Sequence, residues 1–206
     1  MIVIDGNIGS GKSTVLDRLA GLGYTVHKEK IDKWPLEEFY QDRETWSMPL
    51  QLAVFNSMKP LPGIHERCPD SAYHVFWRGS HVGSPESHVG SPESHVGSPE
   101  SHVGSPESHV GSPESHVGSP EDQVVTDFYQ RHRWTPEVHV YLRASPEWCL
   151  NNISKRSQTG DSGITLEYLQ SLHHRYDEFF MRVPNVTIDA ERSIDDILSD
   201  TIRCLL

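Results

Sequence analysis

The sequence predicts an α/β fold, a parallel five-stranded sheet covered by helices on both faces. Three observations carry this. Short apolar runs recur at Ile2-Val3-Ile4, Tyr24–His27, Ile64-His65, Val138–Leu142 and Val186–Ile188. They read as strands buried on both sides rather than half-solvated ones. The stretches between them keep their apolar residues at helical spacing, so strands alternate with helices and must run parallel. The first strand also runs straight into a glycine-rich turn, residues 6–11, that opens a helix.

The elements follow in order. Ser13 to Gly21 is a helix with Val15, Leu16 and Leu19 on one face and Gly21 as its stop. After the second strand, Pro35 to Tyr40 and Trp46 to Met58 read as helices, and the Pro-Leu-Pro-Gly turn of residues 60–63 leads into the third strand. Pro69 to Arg78 is helical with Pro69 tolerated in the first turn, and Gln123 to His132 is helical before the fourth strand. Ser145-Pro146 supplies an N-cap and a first-turn proline for a helix through Lys155. Leu166, Leu169, Leu172, Tyr176 and Phe179 mark a long helix before the fifth strand, and Ser193 opens a closing one.

One segment breaks the pattern. Residues Ser80 to Glu121 are six copies of SHVGSPE within a chain of 206. Gly and Pro recur in every unit and only one residue in seven is apolar, which excludes a coiled coil and predicts a disordered insertion. Its histidines match no defined metal geometry. The remaining 164 residues suffice for one domain and are too few for two, so residues 1–206 are expected to form a single domain interrupted by the insertion at 80–121. The net charge is −11, of which the repeats carry −6. An acidic body of −5 predicts no nucleic-acid or membrane partner. Cys68, Cys149 and Cys204 are odd in number and lack metal-ligand spacing, which favours reduced thiols. With no basic lead-in before Ile2 and no apolar run of ~20 residues, a soluble, cytoplasmic protein is expected.

The chemistry starts at Gly6-Asn7-Ile8-Gly9-Ser10-Gly11-Lys12-Ser13, followed by Thr14, which fits GxxxxGK[ST] between a strand and a helix. Glycines let backbone N–H groups turn inward around phosphates, and the helix N-terminus adds positive potential. Lys12 reaches the β and γ phosphates and Ser13 ligates Mg²⁺, so a purine triphosphate, most often ATP, is the expected donor. Glu29 follows the second strand at the sheet end where such folds place ligands, and a carboxylate there can accept the proton of an alcohol nucleophile. Glu66-Arg67 follows the third strand at the same end: Glu66 can hold Mg²⁺ and Arg67 can steady the transferring group.

With these residues in place, the chain resembles the deoxynucleoside kinases, the family of deoxycytidine, deoxyguanosine and mitochondrial thymidine kinases. The likeness is carried by GNIGSGKST, YTVHKEKIDKW, LEEFYQDRETWSMPLQ, HERCPDSAYHVF, VYLRASPEWCL and GITLEYLQSLH. It implies a phosphate-loop kinase fold, a homodimer, and ATP-dependent phosphorylation of a deoxyribonucleoside 5′-hydroxyl, thymidine with deoxycytidine also accepted. It also implies Glu29 as general base, although Lys30 stands where the family has proline. Tyr40 and Asp161 would bind the 3′-hydroxyl, with Asp161 shorter than the usual Glu. Gln51, Val54, Met58 and Ala72 would surround the base, with Trp46 helping to wall the pocket. Arg67 belongs to a Glu-Arg-Ser pattern whose Ser is Cys68 here. The lid is depleted: NNISKRSQTGDSG offers only Lys155 and Arg156, with Arg156 the expected transition-state ligand.

Two other readings compete. A nucleoside monophosphate (thymidylate) kinase would use the same architecture, but its anionic acceptor needs arginines and would be repelled by Glu29. A nucleotide-binding module with degraded catalysis would fit the depleted lid but not the retained loop, base candidate and Glu-Arg pair. Trp34, Trp134 and Trp148 read as packing residues, the His173-His174 pair as surface, and Cys68, whose arginine neighbour would lower its pKa, as without a role.

Overall fold

A computed structural model of the chain describes residues 1–78, 119–156 and 161–205. The expectation for most of the repeat, and for residues 157–160 of the lid, lies outside the described residues. The described strands are β1 (Ile2–Asp5), β2 (Val26–His27), β3 (Ile64–Glu66), β4 (Val138–Arg143) and β5 (Val186–Asp189). They form one sheet in the order β2-β3-β1-β4-β5, parallel throughout. Ile2 stands opposite both Ile64 and Val138, and Val140 opposite Val186, so the apolar runs meet in register.

The helices are α1 (Lys12–Gly21), α2 (Leu36–Gln41), α3 (Arg43–Ser57), α4 (Pro69–Ser71, continuing as a π-turn over Ala72–Trp77), α5 (Pro120–His132), α6 (Pro146–Arg156), α7 (Leu166–Arg182) and α8 (Ile194–Arg203). Strand alternation sorts their apolar faces. Ile4, Val140 and Leu142 pack with Val15, Leu16 and Leu19 of α1, Cys149 and Ile153 of α6 and Ile197 of α8. Tyr141 instead joins Val75 of α4 and Leu172, Tyr176, Phe179 and Phe180 of α7. Val54, Phe55, Ala72, Tyr73, Trp77, Val125 and Tyr129 bind α3, α4 and α5 into a third cluster.

Boundaries differ from the sequence reading where capping decides them. Asp42 accepts the Thr45 N–H and starts α3 at Arg43, ahead of Trp46. Helix α5 starts at Pro120, inside the last repeat: the Ser119 hydroxyl accepts from the Asp122 N–H while the Asp122 carboxylate accepts from the Ser119 N–H. The second strand shortens to Val26–His27. Single turns at Ile31–Lys33 and Asp161–Gly163 have no apolar periodicity to announce them.

Candidate active site

Helix α1 begins where the chain turns out of the sheet, and the turn depends on glycine. Gly6, at φ 149°, has no room for a side chain, since a Cβ would lie 2.5 Å from the Leu142 carbonyl oxygen. At Gly9 (φ 81°) it would lie 2.4 Å from the Cys149 carbonyl oxygen. Asn7 ties the loop down, donating to the Leu169 carbonyl of α7 and accepting from the Ile8 N–H. Asn152 of α6 donates to the Gly9 carbonyl. The Lys12 ammonium is buried and donates to the Gly6 and Asn7 carbonyls at 3.0 and 2.9 Å. Burial first, then the nearby Arg67 charge, hold its pKa below the usual lysine value.

A cavity of about 990 Å³ opens over the carboxyl ends of β1, β2 and β3. Ile8, Gly9, Gly11, Lys12, Ser13 and Thr14 line one end, while the Gly6 backbone and the Asn7 and Ser10 side chains face protein. Glu29, Glu66 and Arg67 line its middle. The Ser13 hydroxyl donates to Glu66 Oε1 at 2.8 Å, and Glu66 Oε2 accepts from the Glu29 N–H. Glu29 Oε1 accepts from Arg67 Nε at 2.6 Å, an ion pair with both side chains largely buried. Burial raises the Glu29 pKa and the Arg67 charge pulls it back. The Arg67 guanidinium lies 4.2 Å from the centre of the Phe76 ring and stays firmly charged, because Glu29, Tyr176 and Asp5 outweigh its desolvation.

The far end is lined by Trp34, Tyr40, Leu50, Gln51, Val54, Ala72 and Phe76. Gln51 Nε2 donates to the Ala72 carbonyl, which leaves Oε1 and the second Nε2 hydrogen for another partner. Asp161 and Arg156 also line the cavity and grip each other through two hydrogen bonds of 2.9 Å. The turn at Asp161–Gly163 presses on Tyr40, whose ring a Cβ on Gly163 would approach to 2.8 Å.

Two expected pocket residues are placed otherwise. Trp46 sits half-buried outside the cavity lining, one turn from Gln51 on α3. Met58 is buried against the α3–α4–α5 cluster instead of the cavity. Trp34, read as a packing residue, does line the cavity, with its N–H on Ser57. Arg43, Phe76, Tyr168 and Arg175 were missed altogether. Tyr168 lies off the Leu166–Phe179 spacing that marks α7, and Arg43, Phe76 and Arg175 belong to no motif that would set them apart from a packed or solvated helix face. Cys68 departs from the expectation in sign: burial pushes its thiol up to about 12, which leaves it inert. Among the described residues there is no cluster of three or more His, Cys, Asp or Glu able to hold a metal, and no helix is long and apolar enough to cross a membrane.

The family profile described as deoxynucleoside kinase matches residues 2–80 and 119–202. The chain belongs to the deoxynucleoside kinase family. It is 30% identical to the thymidine kinase of Ictalurid herpesvirus 1 (strain Auburn) over 98% of this chain and 84% of that protein. It is 27% identical to human mitochondrial thymidine kinase 2 over 96% of this chain and 73% of the relative. Among solved structures, the deoxyadenosine kinase from M. mycoides with bound dATP superposes with a TM-score of 0.70 at 21% identity, covering 99% of this chain and 98% of that one. The α/β architecture of this deoxynucleoside kinase is therefore that of known nucleoside kinases, and the chain is an enzyme of that class.

Proposed function

We propose that this deoxynucleoside kinase transfers the γ-phosphoryl group of ATP to the 5′-hydroxyl of a pyrimidine deoxynucleoside, thymidine first and deoxycytidine second. One observation carries the reading: a buried carboxylate, Glu29, held by Arg67, shares a cavity with the phosphate loop and Lys12. That pairing suits an acceptor with a proton to surrender. Glu29 takes the 5′-hydroxyl proton as the oxygen attacks phosphorus. Arg67 steadies both Glu29 and the charge gathering on the phosphoryl oxygens. Lys12 exchanges the Gly6 and Asn7 carbonyls for the β and γ phosphates, and the Gly9–Thr14 backbone cradles them.

The Ser13 hydroxyl and Glu66 carboxylate, 2.8 Å apart, are two hard oxygen donors of the kind Mg²⁺ takes alongside phosphates and water. When bound, the ion would neutralise charge on the β and γ phosphates. Asp161 and Tyr40 receive the 3′-hydroxyl, and Arg156 acts on the phosphoryl oxygens once it exchanges Asp161 for them. Gln51 reads the base edge between Val54 and Ala72, whose small side chain leaves room for a 5-methyl group. The thymidine kinases among the relatives support that choice. The family likeness adds a homodimer, which sedimentation velocity would test.

The monophosphate-kinase alternative needs arginines free for an acceptor phosphate. Arg43 and Arg175 line the cavity, so what weighs against this alternative is Glu29, whose carboxylate in the same cavity would repel an acceptor phosphate. The test is to supply ATP and Mg²⁺ with thymidine or with thymidine monophosphate and quantify products chromatographically. Thymidine should yield the monophosphate, with far less diphosphate from the second acceptor. The reverse ratio would overturn the reading.

A further inference from the structure

We infer that Tyr176, anchored by Asp5, is a positioning residue for phosphoryl transfer: its hydroxyl fixes the Arg67 guanidinium in the orientation that aims Glu29 into the cavity. This deepens the proposed function and rests on the reading of Glu29 as the base.

The hydroxyl is what needs explaining. Tyr176 stands in the middle of α7, fully buried among Tyr141, Phe76 and Phe180, where a phenylalanine ring would pack equally well. A buried hydroxyl is costly unless bonded. This one donates to Asp5 Oδ1 at 2.9 Å and accepts from Arg67 Nη1. Burial pushes its ionisation far above the ordinary tyrosine value, so the proton stays in place.

Asp5 is the last residue of β1, fully buried, and its Oδ1 also accepts the Gly6 N–H at 2.9 Å. A continuous chain therefore runs from the phosphate loop through Asp5, Tyr176 and Arg67 to Glu29. The guanidinium is a rigid fork. Its Nε holds Glu29, its Nη1 is held by Tyr176, and its face lies on Phe76. Arg67 Nη1 is only 4.0 Å from Asp5 Oδ1. Without the hydroxyl between them, the buried carboxylate draws that edge of the fork directly, turning the plane and carrying Nε away from Glu29.

The backbone points the same way. Arg67 is the non-glycine residue at positive φ among the described residues, at 67°. This left-handed conformation costs an L-residue free energy, and such strain persists where surrounding bonds enforce it. Here the Arg67 N–H donates to the Ile4 carbonyl while the side chain carries the bonds just named. The remaining charges facing Glu29, Lys12 from α1 and Glu66 from β3, make no hydrogen bond to the Tyr176 hydroxyl.

The experiment is a double-mutant cycle with ATP and thymidine, measuring kcat and both KM values for wild type, Tyr176→Phe, Glu29→Gln and the double variant. Tyr176→Phe should lower kcat about ten- to a hundred-fold, the loss expected when a catalytic group is misplaced by an ångström or less, with both KM values little changed. In the Glu29→Gln background the same substitution should lower kcat by less than it does in wild type, because the part of its effect that runs through Glu29 is already lost. Wild-type kcat in Tyr176→Phe, or an equal loss in both backgrounds, would overturn the positioning role. Wild-type kcat in Glu29→Gln would instead remove the base reading on which it rests.

Discussion

Lys12 spends hydrogen bonds on two carbonyls of its own loop, and no other cation of the loop can reach the β and γ phosphates. Lys12→Ala is expected to abolish product formation in a thymidine assay; wild-type turnover would end the kinase mechanism proposed for this site. Glu29→Gln keeps shape and one hydrogen bond to Arg67 but cannot accept a proton. We expect kcat to fall by roughly 10²–10⁴, the usual contribution of a positioned base, with nucleoside KM nearly constant. A change in KM alone would make Glu29 a binding residue. Selectivity for the base is tested at Ala72, which lines the cavity beside Gln51, rather than at Met58, which faces the α3–α4–α5 cluster. Ala72→Asp puts a carboxylate against the 5-methyl position and should depress kcat/KM for thymidine more than for deoxycytidine; an unchanged ratio would refute the pocket assignment. The residues that sequence makes visible here are those whose chemistry is unusual for their place, such as Lys12 after a glycine or Glu29 at a strand end. Tyr176 and Phe76 stay hidden because a buried aromatic on a helix is what packing alone would select.

At the scale of elements, strands and long helices were legible because their apolar periods are strong, whereas ends decided by side-chain caps were not. Helix α5 is the instructive case. Every repeat carries Ser-Pro-Glu, an N-cap with a first-turn proline, yet only the last copy is followed by Asp122, which closes the box with Ser119. The helix therefore reaches back into the repeat, and Gln123 is its fourth residue rather than its first. Two deletions exploit this. Removing residues 80–118 through a short Gly-Ser linker keeps the cap, whereas removing 80–121 destroys it. The second deletion should be less stable than the first by about 1 kcal/mol, the typical worth of an N-cap, read from urea midpoints. Equal midpoints would mean that the box adds nothing. The π-turn over Ala72–Trp77 was illegible for another reason, since apolar spacing alone does not separate it from the α-helix read over Pro69–Arg78.

The whole molecule buries more than its active site can use, and two histidines show the consequence. His65 on β3 stacks on His27, 4.6 Å away, and meets the tilted ring of Trp134 at 4.9 Å, with its Nε2 donating to the Leu61 carbonyl. His139 on β4 lies under Phe179 and Phe180 with Nδ1 lacking a partner among the described residues. Burial holds both imidazoles below the usual histidine value of 6.5. The Leu61 carbonyl opposes this at His65, while the His27 ring and the N-terminus add to it. Asp5 and Asp70 oppose it at His139. In the unfolded chain each ring takes up its proton near pH 6.5, and in the folded chain only at lower pH. The folded state therefore binds fewer protons in that window. Its stability is fully present above about pH 6.5 and drains away as pH falls through the folded-state values. Replacing His139 by Leu removes one such group together with the orphaned nitrogen. The variant should lose less stability than wild type between pH 7.5 and pH 5, and should gain about 1 kcal/mol at the higher pH from the unpaired polar atom removed. Urea denaturation of both proteins at the two pH values measures each effect. A His139→Leu protein whose stability falls as steeply with acid as the wild type would show that this ring takes up its proton at the same pH folded and unfolded, and that the acid sensitivity lies elsewhere.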